Sequence, residues 1–537
     1  MKKKFSTKLV IQICIALFFV FCVVVPIVSM LCRITPEGLR ETVNSKQFLP
    51  AVKNSLTTAL TATVISLVLA LAAAWCMERT AVKGKAVFGM LFVLPMLIPS
   101  ISHAFGLVSL FGTNGFLTNL LHLKSNIYGF WGIVIGSVMY SFPVAFLMFS
   151  SILQYEDGMT YKAAEVLGVP RFRRFTDITL PYMKKTLISA FFAVFTMIIT
   201  DYGVPLMVGG KHITLSVLMY ERAVAMIDYD SGSVIGAFLL VPAVIAFAVD
   251  LLNPEHGQGG FVSEPVVPER RRPSTVLSYI YCTAVSLTVL APIVSFCMMA
   301  FETKYPVDPT FTLYHVQKTI NRGADQYLLN SLLYALLAAL FGTCLAFVCA
   351  YLTARAKGGI GKGLHLISIT SMAIPGIVLG LSYVIFFHST PIYGTVLIVA
   401  LANSIHFFAS PYLMMYNTLG KVNPNLEDVG QSLGVGRFFI VRDVILPKVR
   451  FTLVEMFVYF FVNSMMTISA VSFLAPPSPK SVALMINQFE AQLLMESAAF
   501  VSLLILLINV LLKLAVVFIR RKWNFSGNAD AEDFKAV

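Results

Sequence analysis

Long apolar stretches separated by short polar segments run through the whole chain. The first stretch, 9–32, has no charged residue, and a helix that spans a bilayer needs about 20 apolar residues. A cleaved signal peptide has a shorter apolar core and a small-residue cleavage site, so we interpret 9–32 as an uncleaved span. The pattern predicts about twelve spans. They are 9–32, 54–77, 86–111, 129–152, 182–207, 232–253, 274–300, 329–354, 363–388, 394–416, 449–470 and 496–519.

The composition excludes a soluble globular protein. The 537 residues are 57% hydrophobic and 12% charged, with a mean hydropathy of +0.80. Soluble domains carry about 25% charged residues. The eight cysteines form no CxxC pair and no metal-ligand spacing, which favours apolar packing roles. The sequence therefore predicts an all-α integral membrane protein.

Basic residues recur after every second predicted span. Because Lys and Arg accumulate in cytoplasmic loops, this alternation predicts a multi-pass protein with both termini in the cytoplasm. It also accounts for most of the net charge of +13, so we expect no nucleic-acid partner. Representative basic residues of these loops are Arg79, Arg171, Arg271, Arg355, Arg437 and Arg520.

One polar motif occurs twice. LGVPRFRRFTDITLP at 167–181 matches LGVGRFFIVRDVILP at 433–447, 266 positions later. Between 165–181 and 431–447, eight of 17 positions are identical, whereas chance matching would give about one or two. Earlier pairs, such as Arg79 with Arg355, lie 276 positions apart. The chain therefore contains an internal duplication that extends well beyond the motif.

The duplication predicts the organisation of the chain. Six spans separate the two motifs, so both lie on the same side and the halves are parallel six-helix repeats. We expect a first unit at 1–253, a second unit at 274–519 and a cytoplasmic tail at 520–537. Between the units, 254–273 is rich in Pro, Gly and charge, which is typical of a linker. We call 153–181 the first motif loop and 417–447 the second motif loop.

Each motif loop has the pattern of a short surface helix followed by a turn. In the first loop, EDGMTYKAAEVLGVP favours a helix that ends at Gly168 in a left-handed turn. A single loop of this kind is also compatible with a solvated basic connector. Two copies in register instead favour a pair of equivalent docking surfaces, and hence a partner with two equivalent sites.

The motif loops resemble the EAA loop of permeases in binding-protein-dependent ATP-binding-cassette (ABC) importers of type I. Two features depart from the family pattern: Lys162 replaces the Glu of the first copy, and Val429-Gly430 replaces the alanine pair of the second. The fused layout is similar to that of ferric-iron, thiamine and aminoalkylphosphonate permeases. The residues that carry the resemblance are Ala163, Ala164, Gly168, Leu180 and Pro181 in the first copy, and Asp428, Gly430, Gly434, Leu446 and Pro447 in the second.

The resemblance implies partners and a function. Each motif loop would be a coupling helix that fits a groove on an ATPase, so the partners would be two copies of an ABC ATPase and an extracytoplasmic solute-binding protein. The chain would be a permease in the bacterial inner membrane, surrounded by lipid, that imports a small solute such as ferric iron or a phosphonate. We expect no catalytic residue, cofactor or metal site. The chain has no GxxxxGK[ST] phosphate loop, so ATP hydrolysis would belong to a separate chain.

Ionisable residues inside the predicted spans are candidates for the translocation pathway. Asp201 ends the fifth span, and His103 and His406 provide one histidine in each half. Either histidine could equally be a satisfied packing contact. The small number of such residues argues against the main alternative, an ion-coupled secondary transporter with parallel repeats. A channel or scaffold without energy input is a third possibility, and the paired motif loops favour the importer over both.

Overall fold

The computed structural model describes residues 7–122, 127–252, 264, 266–268, 271–355, 359–423, 425–474 and 481–533. Most of these residues are helical. The α-helices are α1 Thr7–Phe19, α2 Val25–Leu31, α3 Pro36–Val43, α4 Phe48–Arg79, α5 Lys85–Val93, α6 Ser100–Phe111, α7 Phe116–Leu120, α8 Phe130–Gln154, α9 Gly158–Val166, α10 Arg171–Arg174, α11 Leu180–Ile199, α12 Gly203–Val208, α13 Leu215–Tyr220, α14 Tyr229–Leu252, α15 Arg272–Phe301, α16 Tyr314–Asn321, α17 Ala324–Ala354, α18 Gly359–Ile369, α19 Gly376–Phe387, α20 Val396–His406, α21 Ala409–Lys421, α22 Asn425–Ser432, α23 Arg437–Ile440, α24 Leu446–Met466, α25 Val471–Leu474, α26 Val482–Ala491 and α27 Met495–Asp533. Two short strands, β1 Glu302–Lys304 and β2 Asp308–Phe311, pair antiparallel.

Within the described ranges, eight helices are long and apolar enough to cross a membrane, and three bent pairs raise the number to eleven. The all-α membrane fold is therefore confirmed, with 8 to 11 spans where the sequence predicts about twelve. The eleventh predicted span, 449–470, corresponds to α24, which is neither one of the eight helices nor part of a bent pair. Helices suit this environment because they satisfy every backbone hydrogen bond within one segment.

Two of the bent pairs break at equivalent prolines. The pair Lys85–Leu97 and Ser100–Leu120 bends by 102°, and the pair Gly361–Ala373 and Gly376–Phe387 bends by 104°. Each break contains an Ile-Pro dipeptide, and proline removes a backbone donor and clashes with the preceding helical turn. A 3₁₀ turn precedes each break, and the two turns are separated by the 276 positions of the sequence repeat.

The longest core helices pack through small side chains. Both α4 and α17 bury a stripe of alanines, which allows neighbouring backbones to approach closely. Helix α4 packs against α8 and α11, and α17 packs against α20, α21 and α24. The fully buried alanines are Ala59, Ala62, Ala70, Ala73 and Ala74 on α4, and Ala335, Ala338, Ala339, Ala346 and Ala350 on α17.

The chain forms two compact units that exchange segments between the sequence halves. Unit N comprises Ile34–Arg322 and Ile486–Leu503, and unit C comprises Met1–Arg33, Gly323–Met485 and Leu504–Val537. Thus α1 and α2, from the start of the chain, belong to unit C, whereas α15 belongs to unit N. The predicted units 1–253 and 274–519 remain a prediction about the repeat, which this grouping by contacts does not test.

Polar contacts fix the exchanged helices inside each unit. In unit C, the buried Tyr383 hydroxyl donates to the Cys22 carbonyl at 2.7 Å. In unit N, the Tyr281 hydroxyl donates to the Leu69 carbonyl at 2.7 Å. Each tyrosine thereby satisfies its hydroxyl in an apolar interior, where an unpaired polar group is costly.

Most of the predicted linker, 254–273, lies outside the described residues, as do residues 534–537 of the predicted tail. Of the linker, 264, 266–268 and 271–273 are described.

Candidate functional site

The first motif loop connects α8 to α11. The Asp157 carboxylate accepts a hydrogen bond from the Met159 N–H at 3.1 Å, which caps the start of α9. After α9, the chain turns into the short α10 and then into a π-helical turn, Phe175–Thr179, that leads directly into α11. The loop is therefore an ordered short helix followed by a turn and a second helical entry.

The second motif loop follows the same path. Helix α22 is followed by α23 and by a π-helical turn, Val441–Ile445, that leads into α24. The two π turns are 266 positions apart, which is the spacing of the sequence motif. Each π turn stands directly before a Leu-Pro pair, Leu180-Pro181 or Leu446-Pro447. Because proline has no backbone N–H, one hydrogen bond of the regular helix is missing at this point.

We call α9 and α22 the motif helices, and a glycine makes the turn after each of them. Gly168 has φ of +69° and Gly434 has φ of +76°. The Val169 N–H donates to the Ala164 carbonyl at 2.9 Å, and the equivalent bond of the second loop has the same length, as in a Schellman turn. A Cβ at either glycine would have no heavy atom within 4 Å, so backbone conformation and not space requires glycine here. The left-handed turn that the sequence predicts is confirmed.

The second loop compensates for its departure from the alanine pair. Ala164 is buried in the first loop, whereas the equivalent Gly430 packs against Ile440, whose Cδ1 would lie 2.7 Å from an added Cβ. In the first loop the position of Ile440 is taken by Arg174, whose Nε donates to the Val169 carbonyl at 2.8 Å. The Ile440 side chain therefore occupies the space that the missing methyl group leaves.

Both loops expose large apolar side chains at equivalent positions. Leu167 is 80% exposed and Leu433 is 75% exposed, while Phe172 and Phe438 are 77% and 71% exposed. Ala163 and Asp428 are exposed as well. Paired exposure of leucine and phenylalanine on short polar loops is typical of an interaction surface. We call these four large residues the exposed core of the motif loops.

An arginine anchors the first motif loop to the end of α4. Arg79 and Glu156 form a buried ion pair, and the Thr179 hydroxyl donates to Glu156 at 3.0 Å. The guanidinium carbon lies 5.8 Å from the centre of the Tyr161 ring and 6.0 Å from that of Trp75. Burial raises the pKa of Tyr161, so its phenol stays protonated and hydrogen-bonds Thr179.

The second motif loop is anchored by the equivalent arginine, which follows α17. The Arg355 Nε donates to the Glu427 carboxylate at 2.7 Å, and a terminal nitrogen donates to the Val422 carbonyl at 2.9 Å. The Tyr351 hydroxyl donates to the other oxygen of Glu427 at 3.0 Å. We call Arg79 and Arg355, with these loop contacts, the arginine anchors.

Sequence reasoning did not identify the anchors. Arg79 and Arg355 appear there only as basic loop residues and as a matched pair of the repeat. The acids could not be paired by the repeat because Glu156 and Glu427 occupy different positions in the two copies. The usable signal was the retention of an arginine at the same point of both halves.

The departure at Lys162 involves the linker. Lys162 and Glu264 form an ion pair in which both side chains are about half exposed. The Gly158 N–H, at the start of α9, also donates to the Glu264 carbonyl at 2.8 Å. The described part of the linker therefore contacts the first motif helix, at the position where the family pattern has an acid.

The pathway candidate Asp201 lies beside the first helix break. Its carboxylate accepts from the Ser100 hydroxyl at 2.6 Å and from the Val204 N–H at 3.0 Å. Its carbonyl accepts from the Ser216 hydroxyl at 2.7 Å. It also lines a small cavity with the hydroxyl-bearing Ser55, Thr58, Thr214 and Ser216. Asp201 thus connects the break to the segment that follows α11.

The two histidines lie beside the breaks of their own units. His103 is buried, with Nδ1 3.2 Å from the Pro99 carbonyl and its ring 5.9 Å from that of Tyr140. His406 lies against Gly376, where an added Cβ would be 2.9 Å from Nε2. The structure therefore brings Asp201 and His103 to one break and His406 to the equivalent break of unit C.

Among the described residues, no group of three or more His, Cys, Asp or Glu side chains is arranged so that it could hold a metal ion.

Two membrane-embedded helical units, each with an exposed motif loop built on the same plan, define the permease of an ABC importer. The chain belongs to the family described as binding-protein-dependent transport system inner membrane component, whose profile matches residues 66–254 and 342–525. It is therefore a multi-pass inner-membrane transport subunit and not an enzyme. Family membership also decides against the ion-coupled secondary transporter.

Curated relatives agree with the duplicated layout. The chain is 24% identical over 507 residues to the ferric transport system permease protein FbpB of Actinobacillus pleuropneumoniae, covering 89% of this chain and 73% of that protein. It is 20% identical over 517 residues to the Fe(3+)-transport system permease protein FbpB 2 of Haemophilus influenzae, covering 93% and 96%. The sulfate transport system permease protein CysT of Escherichia coli is 26% identical over 241 residues, 43% of this chain and 86% of that protein. Slightly less than half of this chain thus matches most of that protein.

Proposed function

We propose that the two motif loops dock two copies of one ABC ATPase on the cytoplasmic side, where both chain termini also lie. The observation that carries this proposal is the exposed core, because the same leucine and phenylalanine protrude at equivalent positions of both loops. A partner with two identical grooves would bind both loops through these residues. The charges that differ between the loops would then adjust docking by about 0–1 kcal/mol each, as exposed charges usually do.

Transport follows from the movement of the two loops. ATP binding brings the two ATPases together, and their movement carries the motif loops with them. The helical units then change from an inward-open to an outward-open state, which a loaded extracytoplasmic binding protein favours. The binding protein releases its solute into the pathway, and hydrolysis of ATP returns the permease to the inward-open state.

The substrate we propose is ferric iron. The motif resemblance leaves a phosphonate equally open, and the relatives described above as ferric permeases support the iron. Uptake of radioactive ferric iron in cells with and without this permease tests the assignment. Loss of uptake of a labelled phosphonate, with iron uptake unchanged, would contradict it.

The experiment that tests ATPase docking is the native mass of the purified complex. We expect one copy of this chain with two copies of a single ATPase, because one chain carries both loops. The count in a variant with both exposed leucines changed, Leu167→Glu and Leu433→Glu, should fall to the permease alone. A fully active complex with one ATPase copy would refute the proposed stoichiometry.

We also propose that Asp201, His103 and His406 support the translocation pathway at the two breaks. Asp201→Asn should lower uptake more than it lowers ATPase co-purification, because the carboxylate lies beside the break in α5–α6 and not in a motif loop. The amide has one oxygen, so it can accept from only one of the two donors, and its other contact must be reversed or lost. Uptake and ATPase co-purification should be measured on the same membranes, and an equal loss of both would indicate a folding defect instead.

A further inference from the structure

The two arginine anchors reach the same two positions of the motif loop by different chemistry. Positions 156 and 422 are equivalent in the repeat, as are 161 and 427. In the first loop the guanidinium pairs with the Glu156 side chain and lies over the Tyr161 ring. In the second loop it donates to the backbone carbonyl at 422 and pairs with the carboxylate at 427.

The contact has therefore been retained although the contacting groups differ. A guanidinium that only needed neutralisation would be satisfied by one acid anywhere nearby. Here each arginine contacts its motif loop at two points, one before the motif helix and one within it. Because the guanidinium group is planar, these contacts fix its orientation as well as its distance. What the two halves share is the attachment of the motif helix to the end of a long core helix.

The long helices provide a stiff path away from this attachment. Arg79 is the last residue of α4, which has 32 residues, and Arg355 directly follows α17, which has 31. Both helices carry the buried alanine stripes described above, so each is packed tightly along its length. A displacement at the anchored end is thus carried by a rigid element instead of being absorbed in a flexible connector.

We propose that Arg79 and Arg355 are positioning residues that transmit movement of each motif loop into α4 and α17. This inference rests on the proposed docking of an ATPase at the motif loops. Both arginine side chains are largely buried and neither belongs to the exposed core. Their role is therefore to transmit the movement of the motif loops and not to bind the ATPase.

The test uses Arg79→Ala and Arg355→Ala, singly and together, in the full-length complex. We expect the ATPase to co-purify and to hydrolyse ATP, while ATP-driven uptake falls by about tenfold in the double variant, a change within the usual range of coupling between sites. Hydrogen exchange should become faster in Gly158–Val166 when Arg79 is changed and in Asn425–Ser432 when Arg355 is changed. The exchange measurement needs no ATPase and separates failure of this inference from failure of the docking proposal.

Glu78→Gln is the matched control. Glu78 precedes Arg79 on α4 and is also hydrogen-bonded, but its partners Ser150 and Gln154 lie on α8 and not on a motif helix. This variant should keep uptake and leave exchange in Gly158–Val166 unchanged. If Arg79→Ala does not accumulate in membranes, Glu156→Gln, which keeps the size of the side chain and removes its charge, replaces it in the same assays.

The outcomes separate transmission from structural support. Uptake lost together with ATPase co-purification would overturn the proposal, since the arginines would then be needed for the docking surface itself. Full uptake in the double alanine variant, or equal uptake loss in Glu78→Gln, would overturn it as well. Uptake lost with hydrolysis retained, and faster exchange confined to the motif helix of the changed half, would support it.

Discussion

Replacing Leu433 with Glu should remove ATP-driven uptake and most ATPase binding. The side chain is 75% exposed on the second motif loop, so the substitution costs little in the free permease. In a docked complex the same position would become a buried, unpaired charge. Loss of one central apolar contact alone costs about 2 kcal/mol, or about thirtyfold in affinity, and the charge adds to this.

Leu167→Glu should have the same effect, because closure of the ATPase pair needs both loops. The matched control is Lys162→Ala on the first motif helix, where we expect at most about a fivefold change, since an exposed ion pair contributes about 0–1 kcal/mol. Uptake into membrane vesicles and co-purification of the ATPase report the two steps separately. Normal uptake in Leu433→Glu would rule out the exposed core as the docking surface.

The second large effect is expected for Gly434→Val, and likewise for Gly168→Val. At φ of +76° and +69°, a β-branched residue meets the steric penalty that L-residues have in the left-handed region, at least about 1–2 kcal/mol. The turn would open to relieve it, which would change the position of the exposed phenylalanine after the turn relative to the leucine before it. We expect uptake to fall about tenfold or more, with normal amounts of permease in the membrane.

Gly420→Val controls for bulk inside the second motif loop but away from its glycine turn. Gly420 is exposed in α21, has no heavy atom within 4 Å of an added Cβ and does not require a positive φ. This variant should therefore retain uptake. A membrane-fraction blot beside the uptake assay distinguishes loss of the turn from loss of insertion, and normal uptake in both Gly168→Val and Gly434→Val would show that the turn is not needed.

The features that could be predicted are those determined by local pattern. The length of the apolar stretches predicts the spans, and the short pattern before each glycine predicts the two turns, because both depend on residues close together in sequence. The repeat is found by matching the order of residues in the two motif segments. Prolines inside predicted spans favour bends, and Pro99 and Pro375 lie at breaks of more than 100°. Pro143 carries the same signal but lies inside the unbroken α8, so the signal alone does not decide the outcome.

The features that could not be predicted depend on contacts between distant segments. The first apolar stretch has no polar face to indicate its partner, so its place in unit C is invisible in the sequence. The acids of the two anchors stand at different positions, which hides them from any comparison of the halves. Likewise, the sequence shows that Gly430 replaces an alanine, but only the structure shows that Ile440 occupies the space of the missing methyl group.

The segment exchange between the units also sets the order in which they can be completed during synthesis. Helices α1 and α2 leave the ribosome well before the residues they pack with in unit C, which begin at Gly323. Unit N, whose main segment ends at Arg322, still lacks Ile486–Leu503 until Gly323–Met485 of unit C has been made. Helices α1 and α2 must therefore wait for their packing partners, and neither unit becomes complete much before the other.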